Sequence, residues 1–441
     1  MDPTNLSTKR QWIAELARTK PGEVLFSLHH VIDMEWMHEA YELTRKDGAP
    51  GIDGATAKDY EANLEANLLD LLERIKSGRY KAPPVRRTYI PKADGSQRPL
   101  GIPTFEDKVA QRAVTMVLEA VYEQDFLPCS YGFRPGRSAH QALRKLGGVI
   151  TWQEQHWVLD VDLRKYFDSI PHCQLREILD QRVTDGVIRR MIDKWLKAGV
   201  LEDGLLRLTS EGTPQGGVIS PILSNIYLHH VLDQWFENEV KPCMAGQCTL
   251  VRFADDFVMT FKNHLDAKRV LEVLDKRLGR YGLTLHPDKT RFIDFRPVRQ
   301  GGTHPDCKEP PFDFLGFTHV WAKSRKGRNV VRQRTAKSRL ARALVAAKEW
   351  CRSNRHRPIR WQHARLSAKL VGHYAYYGIT GNIWQLGRYR QQVTRIWRKW
   401  LERRTRAKPL PWDRFNAFLK RHPLPQPRIV HRYTSVSEAL S

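Results

Sequence analysis

The sequence predicts an α+β fold followed by an all-α, strongly basic C-terminal segment. Strand-like stretches alternate with helical ones over the first 320 residues, which is typical of an α+β core with an antiparallel centre. From Thr335 onward the apolar residues recur with a helical period. The 441 residues are 41% hydrophobic and 27% charged, so the chain can bury two to four domains and is not disordered as a whole.

The elements follow in order along the chain. Residues 31–80 have a helical period that the turn at 48–54 interrupts, and residues 86–102 alternate like a hairpin around a tight turn at 93–96. A helix is predicted over 107–124, a strand over 157–162 and a strand pair over 249–261. The C-terminal segment predicts a three-helix bundle whose apolar stripes are Leu340, Leu344, Ala347 and Cys351; Leu366, Leu370 and Tyr374; and Leu386, Val393, Trp397 and Trp400.

The net charge of +25 is unevenly distributed. Residues 321–441 hold 30 basic and four acidic side chains, a local charge of +26, whereas residues 1–320 have a net charge of −1. One basic module on a near-neutral body is expected of a protein that binds a polyanion, and the interleaved arginine and tryptophan favour nucleic acid over a membrane surface. The six cysteines have no metal-binding spacing, and residues 1–20 lack a signal peptide's apolar core, so we expect a cytoplasmic protein with reduced thiols.

Two acidic motifs suggest phosphoryl-transfer chemistry. Asp255 and Asp256 lie between two apolar, strand-like runs, which places them at a hairpin tip. A solvated turn would explain such a pair, but so would a magnesium site, because Mg²⁺ is held by carboxylates and substrate phosphates. The strand over 157–162 carries Asp160 and Asp162 on one face. Packed beside the hairpin, it would bring three carboxylates together, and two metal ions there could clamp the attacking and leaving oxygens of a polymerase reaction.

Two further stretches could supply counter-charges and contacts for a substrate. Lys92 and Arg98 flank the turn of the 86–102 hairpin, so both cations could reach a triphosphate. The glycine-rich segment 212–217 precedes a helix-like stretch over 219–232 and contains Gln215. Such a loop can approach a phosphate or base pair closely, although a simple linker explains it equally well.

Seven motifs in this order resemble the bacterial group II intron reverse transcriptase/maturase family. They are Ile-Pro-Lys…Arg-Pro-Leu-Gly-Ile-Pro (90–103), Ser-Tyr-Gly-Phe-Arg-Pro-Gly-Arg-Ser (130–138), the Asp162 strand, Gly-Thr-Pro-Gln-Gly-Gly-Val-Ile-Ser-Pro (212–221), Phe-Ala-Asp-Asp (253–256), Leu-His-Pro-Asp-Lys-Thr (285–290) and Phe-Leu-Gly-Phe (314–317). The resemblance implies a right-hand polymerase, with fingers and palm followed by an all-α thumb/X domain. It divides the chain into an N-terminal extension (1–35), fingers (36–155), palm (156–320), basic helical thumb/X domain (321–404) and a short DNA-binding-like tail without a nuclease domain (405–441).

The resemblance also implies roles for individual residues. Asp162, Asp255 and Asp256 become the metal-binding triad for two Mg²⁺ ions, which Mn²⁺ could replace, and Lys289 assists pyrophosphate departure. The incoming dNTP is contacted by Lys92, Arg98 and Gln215, while Phe167 screens the 2′ position of its sugar. Phe314, Leu315 and Gly316 correspond to the primer grip. The RNA-binding surface of the thumb is expected to include Arg334, Lys337, Arg339, Arg342, Arg352 and Arg355.

One residue departs from the family pattern. The family usually has Tyr-Ala-Asp-Asp, and Phe253 replaces the tyrosine here. Loss of one hydroxyl removes at most a hydrogen bond of about 0.5 to 1.5 kcal/mol, so we expect activity to persist.

The function implied is an RNA-directed DNA polymerase of a mobile intron that also binds its intron RNA and assists splicing and retrohoming. Its partners would be intron RNA, an RNA template/primer duplex, target DNA and dNTPs, without a membrane, and the protein would join the nucleoid when on DNA. Without a nuclease domain, it is expected to leave the strand opposite the insertion site uncut. A free-standing reverse transcriptase recruited to defence or DNA repair, and a maturase that acts only in splicing, are the alternatives.

Overall fold

A computed structural model of the protein describes residues 6–91, 95, 97–202, 205–207, 212, 216–297, 311–324, 326–404 and 410–433, with backbone only at 205–207. Lys92 and Gln215, two of the predicted substrate contacts, lie outside the described residues.

The first 155 residues form helices around one long buried helix, with a hairpin beside them. The helices are α1 (Leu6–Thr19), α2 (Met34–Glu42), α3 (Ala57–Glu61), α4 (Leu64–Lys76), α5 (Phe105–Tyr122) and α6 (Ala139–Trp152), with a 3₁₀ turn at His29–Val31. The predicted hairpin forms from β1 (Val85–Pro91) and β2 (Gln97–Ile102). Thr104 caps α5 by accepting a hydrogen bond from the amide of Asp107.

Residues 157–294 contain the second sheet and the helices that cover it. The elements are β3 (Trp157–Val161), α7 (Tyr166–Ser169), α8 (His172–Asp180), α9 (Gly186–Lys197), β4 (Val200–Glu202), β5 (Leu205–Arg207), α10 (Ser220–Leu228), β6 (Cys248–Phe253), β7 (Asp256–Phe261), α11 (His264–Arg280) and β8 (Arg291–Asp294). Two π-helical turns, His229–Asp233 and Phe236–Val240, and a 3₁₀ turn, Lys241–Cys243, follow α10. Strands β4 and β5 extend the first hairpin into a sheet of order β2-β1-β4-β5.

The second sheet has the order β6-β7-β3-β8, and each neighbouring pair is antiparallel. Because side chains alternate between the two faces of a strand, the sheet separates two hydrophobic cores. Leu159, Phe257 and Met259 enter the larger core with the helices, whereas Val158 and Val258 pack with α6 in a smaller one. The predicted antiparallel centre is therefore present.

A three-stranded sheet of order β11-β10-β9 follows, from β9 (Phe312–Phe314), β10 (Phe317–Lys323) and β11 (Asn329–Thr335). The predicted start of the helical segment at residue 321 is therefore wrong, because residues 329–335, including Arg334, form a strand. Alternate side chains are buried where the two strands pair nearest the helices, Phe317 and His319 in β10 and Gln333 and Thr335 in β11, while Arg334 between the last two is exposed. The basic composition concealed that alternation.

The C-terminal bundle consists of α12 (Lys337–Ser353), α13 (Ile359–Tyr377) and α14 (Ile383–Glu402). Its core contains the predicted stripes, with Leu366, Leu370 and Trp397 fully buried. Helix α15 (Trp412–Arg421) inserts Phe415 into the same core, so this part of the tail joins the bundle instead of standing apart. Every helix in the described part of the chain is too short or too polar to span a lipid bilayer.

Candidate active site

The two adjacent acids occupy the tip of the β6–β7 hairpin. Phe253 pairs with Asp256, which leaves Ala254 and Asp255 as a two-residue turn. Ala254 has a φ of 58°, a left-handed conformation that such tight turns require and that alanine rarely adopts. The surrounding structure must therefore hold this turn in place.

The third acid reaches the turn through strand pairing. In the β3–β7 ladder Val161 is opposite Phe257, so the next residue along β3, Asp162, lies beside Asp256. The sequence-based prediction that β3 packs next to the acidic hairpin is thereby met. The structure brings Asp162, Asp255 and Asp256 to one edge of the sheet.

These carboxylates face one another without enough positive charge to balance them. Burial raises the pKa of Asp255, an effect that nearby Arg98 opposes and Asp162 reinforces. Asp256 is exposed at the floor of a cleft, but crowding by protein atoms and the charges of Asp255, Asp162 and Asp160 raise its pKa to about 7. The site therefore has an excess of negative charge.

Beneath the turn, by contrast, charges are matched. Arg252 and Asp233 are fully buried, and the guanidinium donates to both carboxylate oxygens at 2.7 and 2.5 Å. Arg252 Nη1 also donates to the backbone oxygen of Ala254 at 3.0 Å and to Asn225 Oδ1 at 2.9 Å. The π-helical turn that ends at Asp233 places this carboxylate below the acidic turn.

The backbone of Gly132 packs directly against the same turn. A Cβ atom at Gly132 would lie 2.3 Å from the amide nitrogen of Ala254, closer than any non-bonded contact allows. Asn225 Nδ2 donates to the carbonyl of Gly132 at 2.8 Å, so one asparagine links the glycine to Arg252. Sequence analysis missed Arg252, Asp233 and Asn225, although an arginine inside an apolar strand was a usable signal for Arg252.

Two cations contact the acids from the β8 side. Lys289 Nζ lies 3.4 Å from Asp162 Oδ2, and Arg291 Nη2 donates to Asp160 Oδ2 at 2.6 Å. Burial raises the pKa of Asp160, while Arg291 opposes that rise. Asp160 is thus paired with Arg291, whereas Asp162 and Lys289 remain more accessible.

The predicted substrate contacts are partly described. Arg98, on β2, is near enough to the turn to lower the pKa of Asp255. Gly216, from the glycine-rich segment, approaches the same strand, because a Cβ there would lie 2.6 Å from the carbonyl oxygen of Gly101. Phe167, half-buried on α7, packs edge-on against Tyr166 at 5.2 Å between ring centroids.

The predicted primer grip lines the same cleft as the acids. This cleft, of about 460 Å³, is bordered by Asp162, Asp256, Lys289 and the segment 314–316. Leu315 and Gly316 form a turn with positive φ values of 50° and 80°, and the Tyr376 hydroxyl donates to the Leu315 carbonyl at 2.9 Å. Asp288 and Asp313 also line the cleft, and sequence analysis did not single them out.

Three of the predicted RNA-binding residues border two different cavities. Arg339 lines the catalytic cleft, whereas Arg352 and Arg355 line a groove of about 590 Å³ between α12 and α14. That groove is also bordered by Lys348, Lys399 and Arg403, with Glu349 as its one acid among the described residues. Arg334, Lys337 and Arg342 are exposed.

The donors at the turn suit a hard divalent cation. They are carboxylate oxygens, which Mg²⁺ and Mn²⁺ prefer, and their raised pKa values reflect negative charge that a cation would neutralise. Within the described residues, no three His, Cys, Asp or Glu side chains are close enough to ligate an ion unaided.

Comparison with known proteins gives a consistent result. Residues 90–319 match the family described as reverse transcriptase (RNA-dependent DNA polymerase). Protein YkfC of Escherichia coli K12 is 36% identical over 361 residues, covering 73% of this chain and 90% of YkfC. The group II intron-encoded protein LtrA of Lactococcus lactis is 42% identical over 237 residues, covering 52% of this chain and 38% of LtrA. The resemblance drawn from the motifs is confirmed.

A solved structure is also similar at low identity. It is telomerase from Candida albicans in complex with a fragment of telomeric RNA, with a TM-score of 0.42 and 13% identity over 83% of this chain and 65% of that one.

Proposed function

This chain belongs to the reverse transcriptase family, of the group II intron reverse transcriptase/maturase type, and we propose that it synthesises DNA on an RNA template and binds the RNA of its own intron. The observation that carries the proposal is the edge of the β6-β7-β3-β8 sheet. There Asp162, Asp255 and Asp256 meet beside Arg98 and Lys289.

Each predicted residue has a task that its position permits. Asp162, Asp255 and Asp256 would hold Mg²⁺, which when bound would activate the primer hydroxyl and neutralise the charge of the triphosphate. Arg98, whose positive charge lowers the pKa of Asp255, would bind the same triphosphate. Lys289, whose Nζ lies 3.4 Å from Asp162 Oδ2, would donate a proton to the departing pyrophosphate.

Two further sets of residues would position the nucleic acid and the sugar. The turn at Leu315 and Gly316 borders the cleft and is held by Tyr376, so it can support the end of the primer opposite the acids. The ring of Phe167 would exclude a 2′-hydroxyl by its bulk. Lys92 and Gln215 are proposed to contact the same nucleotide on the basis of the family motifs.

RNA binding is proposed for the C-terminal bundle. Its groove between α12 and α14 carries five cationic side chains, and phosphate contacts of this kind bind RNA without regard to sequence. We propose that this surface holds intron RNA and thereby assists splicing and retrohoming. Intron RNA, a template/primer duplex, target DNA and dNTPs would be the partners.

The test is primer extension on an RNA template with purified variants. Asp255→Asn and Asp162→Asn should abolish extension, because each removes a charge that the metal ion requires, while binding of intron RNA should persist. Asp275→Asn, an exposed acid on α11, is the matched control and should extend normally. Near-normal extension by a folded Asp255→Asn or Asp162→Asn variant would refute the site, and an inactive wild-type protein that binds intron RNA would support a role in splicing alone.

A further inference from the structure

A second cavity lies outside the cleft that contains the acids. It has a volume of about 880 Å³ and is bordered by the second half of α6, the outer part of the β10–β11 hairpin, the start of α14 and residues 429–433. The catalytic cleft contacts the opposite end of that hairpin, at Gly316 and Ala336, and the two cavities share no lining residue among those described. Both could therefore be occupied at once.

The walls of this cavity combine aromatic and cationic side chains. Trp384 is 87% exposed, and Trp152 and Ile383 also present apolar surface to solvent. Because all three line one cavity, they contribute to a shared apolar surface, and contiguous surfaces of this kind often mark binding sites. The position of the Trp384 indole at the mouth of the cavity favours a planar ligand that can stack on it.

Three arginines surround the same space: Arg144, Arg332 and Arg432. None of the described residues that line the cavity is acidic, and in the part of the chain that the structure describes none of these arginines has an ion-pair partner. Arg144 lies over the ring of Tyr433, with its guanidinium carbon 5.3 Å from the centroid, and so is held at the cavity wall. The charge of the site complements an anion.

Stacking surfaces beside unpaired cations are the features by which proteins hold single-stranded nucleic acid. We propose that this cavity binds an unpaired segment of RNA, with a base stacked on Trp384 and the neighbouring phosphates held by the three arginines. The proposal rests on the proposed function, in which the strand that remains unpaired during DNA synthesis is the RNA template. The cavity would be a second RNA site that holds this strand away from the catalytic acids.

The experiment measures binding of a fluorescein-labelled oligo(U) RNA of about twelve nucleotides, within the range of known single-strand sites, by fluorescence anisotropy. Trp384→Ala should weaken binding about tenfold, in line with the loss of one stacked base. Arg432→Gln should lower the slope of log K against log salt by about 0.7, the value for one phosphate contact on a single strand. Phe26→Ala, which removes another aromatic side chain that is 75% exposed, is the matched control and should bind like the wild type.

Primer extension on a template with only a short single-stranded overhang separates this proposal from the proposed function. The Trp384→Ala variant should extend such a primer at the wild-type rate, because Trp384 lies outside the catalytic cleft. Unchanged oligo(U) affinity in Trp384→Ala would overturn the RNA site while leaving the polymerase assignment intact. A wild-type preference for oligo(dT) that Trp384→Ala abolishes would assign the cavity to a DNA strand and would also overturn the proposal.

Discussion

The two sides of the acidic turn treat charge in opposite ways. Below the turn, Arg252 and Asp233 are both fully buried and satisfy each other through two hydrogen bonds. Above it, Asp255 and Asp256 lie close to Asp162; burial raises the pKa of both acids, and the charges of neighbouring carboxylates raise it further. The paired charges of Arg252 and Asp233 hold the backbone of the turn, whereas the charges of the acids above it could be neutralised by a ligand. Carboxylates that lack nearby positive charge to balance them can thus mark a functional site.

The buried pair also explains how an alanine is kept in a left-handed conformation. A turn with Ala254 at a φ of 58° is strained, and strain persists only where neighbours determine the backbone. The guanidinium of Arg252 donates to the carbonyl of Ala254, and Gly132 blocks movement from the other side. The acids proposed to hold the metal are therefore positioned by the fully buried Arg252 and by Gly132.

The largest expected effect comes from breaking the matched side. Arg252→Met keeps most of the side-chain volume but leaves the buried Asp233 without its hydrogen-bonded cation, with only His229 Nδ1 3.9 Å away, which should cost about 3–5 kcal/mol of unfolding free energy. Urea denaturation followed by circular dichroism measures this loss. Arg18→Met removes an exposed ion pair with Glu15 and should cost less than about 1 kcal/mol. Equal losses in the two variants would contradict the distinction between buried and exposed pairs.

A smaller change on the same side should affect catalysis more than stability. Gly132→Ala forces a Cβ into the amide of Ala254, so the turn must shift and carry Asp255 with it. A displacement of about 1 Å at reacting groups can lower the rate by about 100-fold, and we expect a loss of that order in primer extension. Gly279→Ala, at a position on α11 where a Cβ meets nothing within 4 Å, should remain fully active. An active Gly132→Ala variant would mean that the turn tolerates movement.

The two sides also differ in how far sequence could predict them. Sequence could locate the acids because strand alternation and adjacent carboxylates are local patterns. The pairing register of β3 and β7 comes from the structure. Asp233 and Asn225 were missed because they reach Arg252 from 19 and 27 residues away, through a π-helical turn that no sequence pattern indicated. Lys92 and Gln215 remain predictions.

A second limit of sequence-based prediction is shown by the strands over 321–335 and by the position of Arg339. A count of basic residues predicted a nucleic-acid-binding module but could not tell which arginine lines which cavity. Arg339 borders the catalytic cleft, and its positive charge opposes the rise in the pKa of Asp256. That distinction depends on how α12 packs beside the palm-like sheet, which only the tertiary structure shows.

The smallest effect concerns the unmatched side and its dependence on pH. The folded-state pKa of Asp256 is about 7, above the value of about 3.9 expected in an unfolded chain, so between these values the folded protein binds more protons. Without divalent cations, stability should therefore decrease as pH rises from about 4 through about 7. In the Asp256→Asn variant the side chain cannot ionise, so stability should decrease less as pH rises. Its melting temperature in EDTA, relative to the wild type, should therefore increase between about pH 5 and pH 8.

Added Mg²⁺ provides the complementary measurement, because a cation stabilises the folded state only where ionised carboxylates can hold it. In the wild type, Mg²⁺ should raise the melting temperature more at pH 8 than at pH 5.5, since protons compete for Asp256 at the lower pH. The Asp256→Asn variant should respond less, and with a weaker dependence on pH. Parallel pH profiles for the two proteins, with equal responses to Mg²⁺, would show that the charge on Asp256 is already balanced and would remove the contrast between the two sides of the turn.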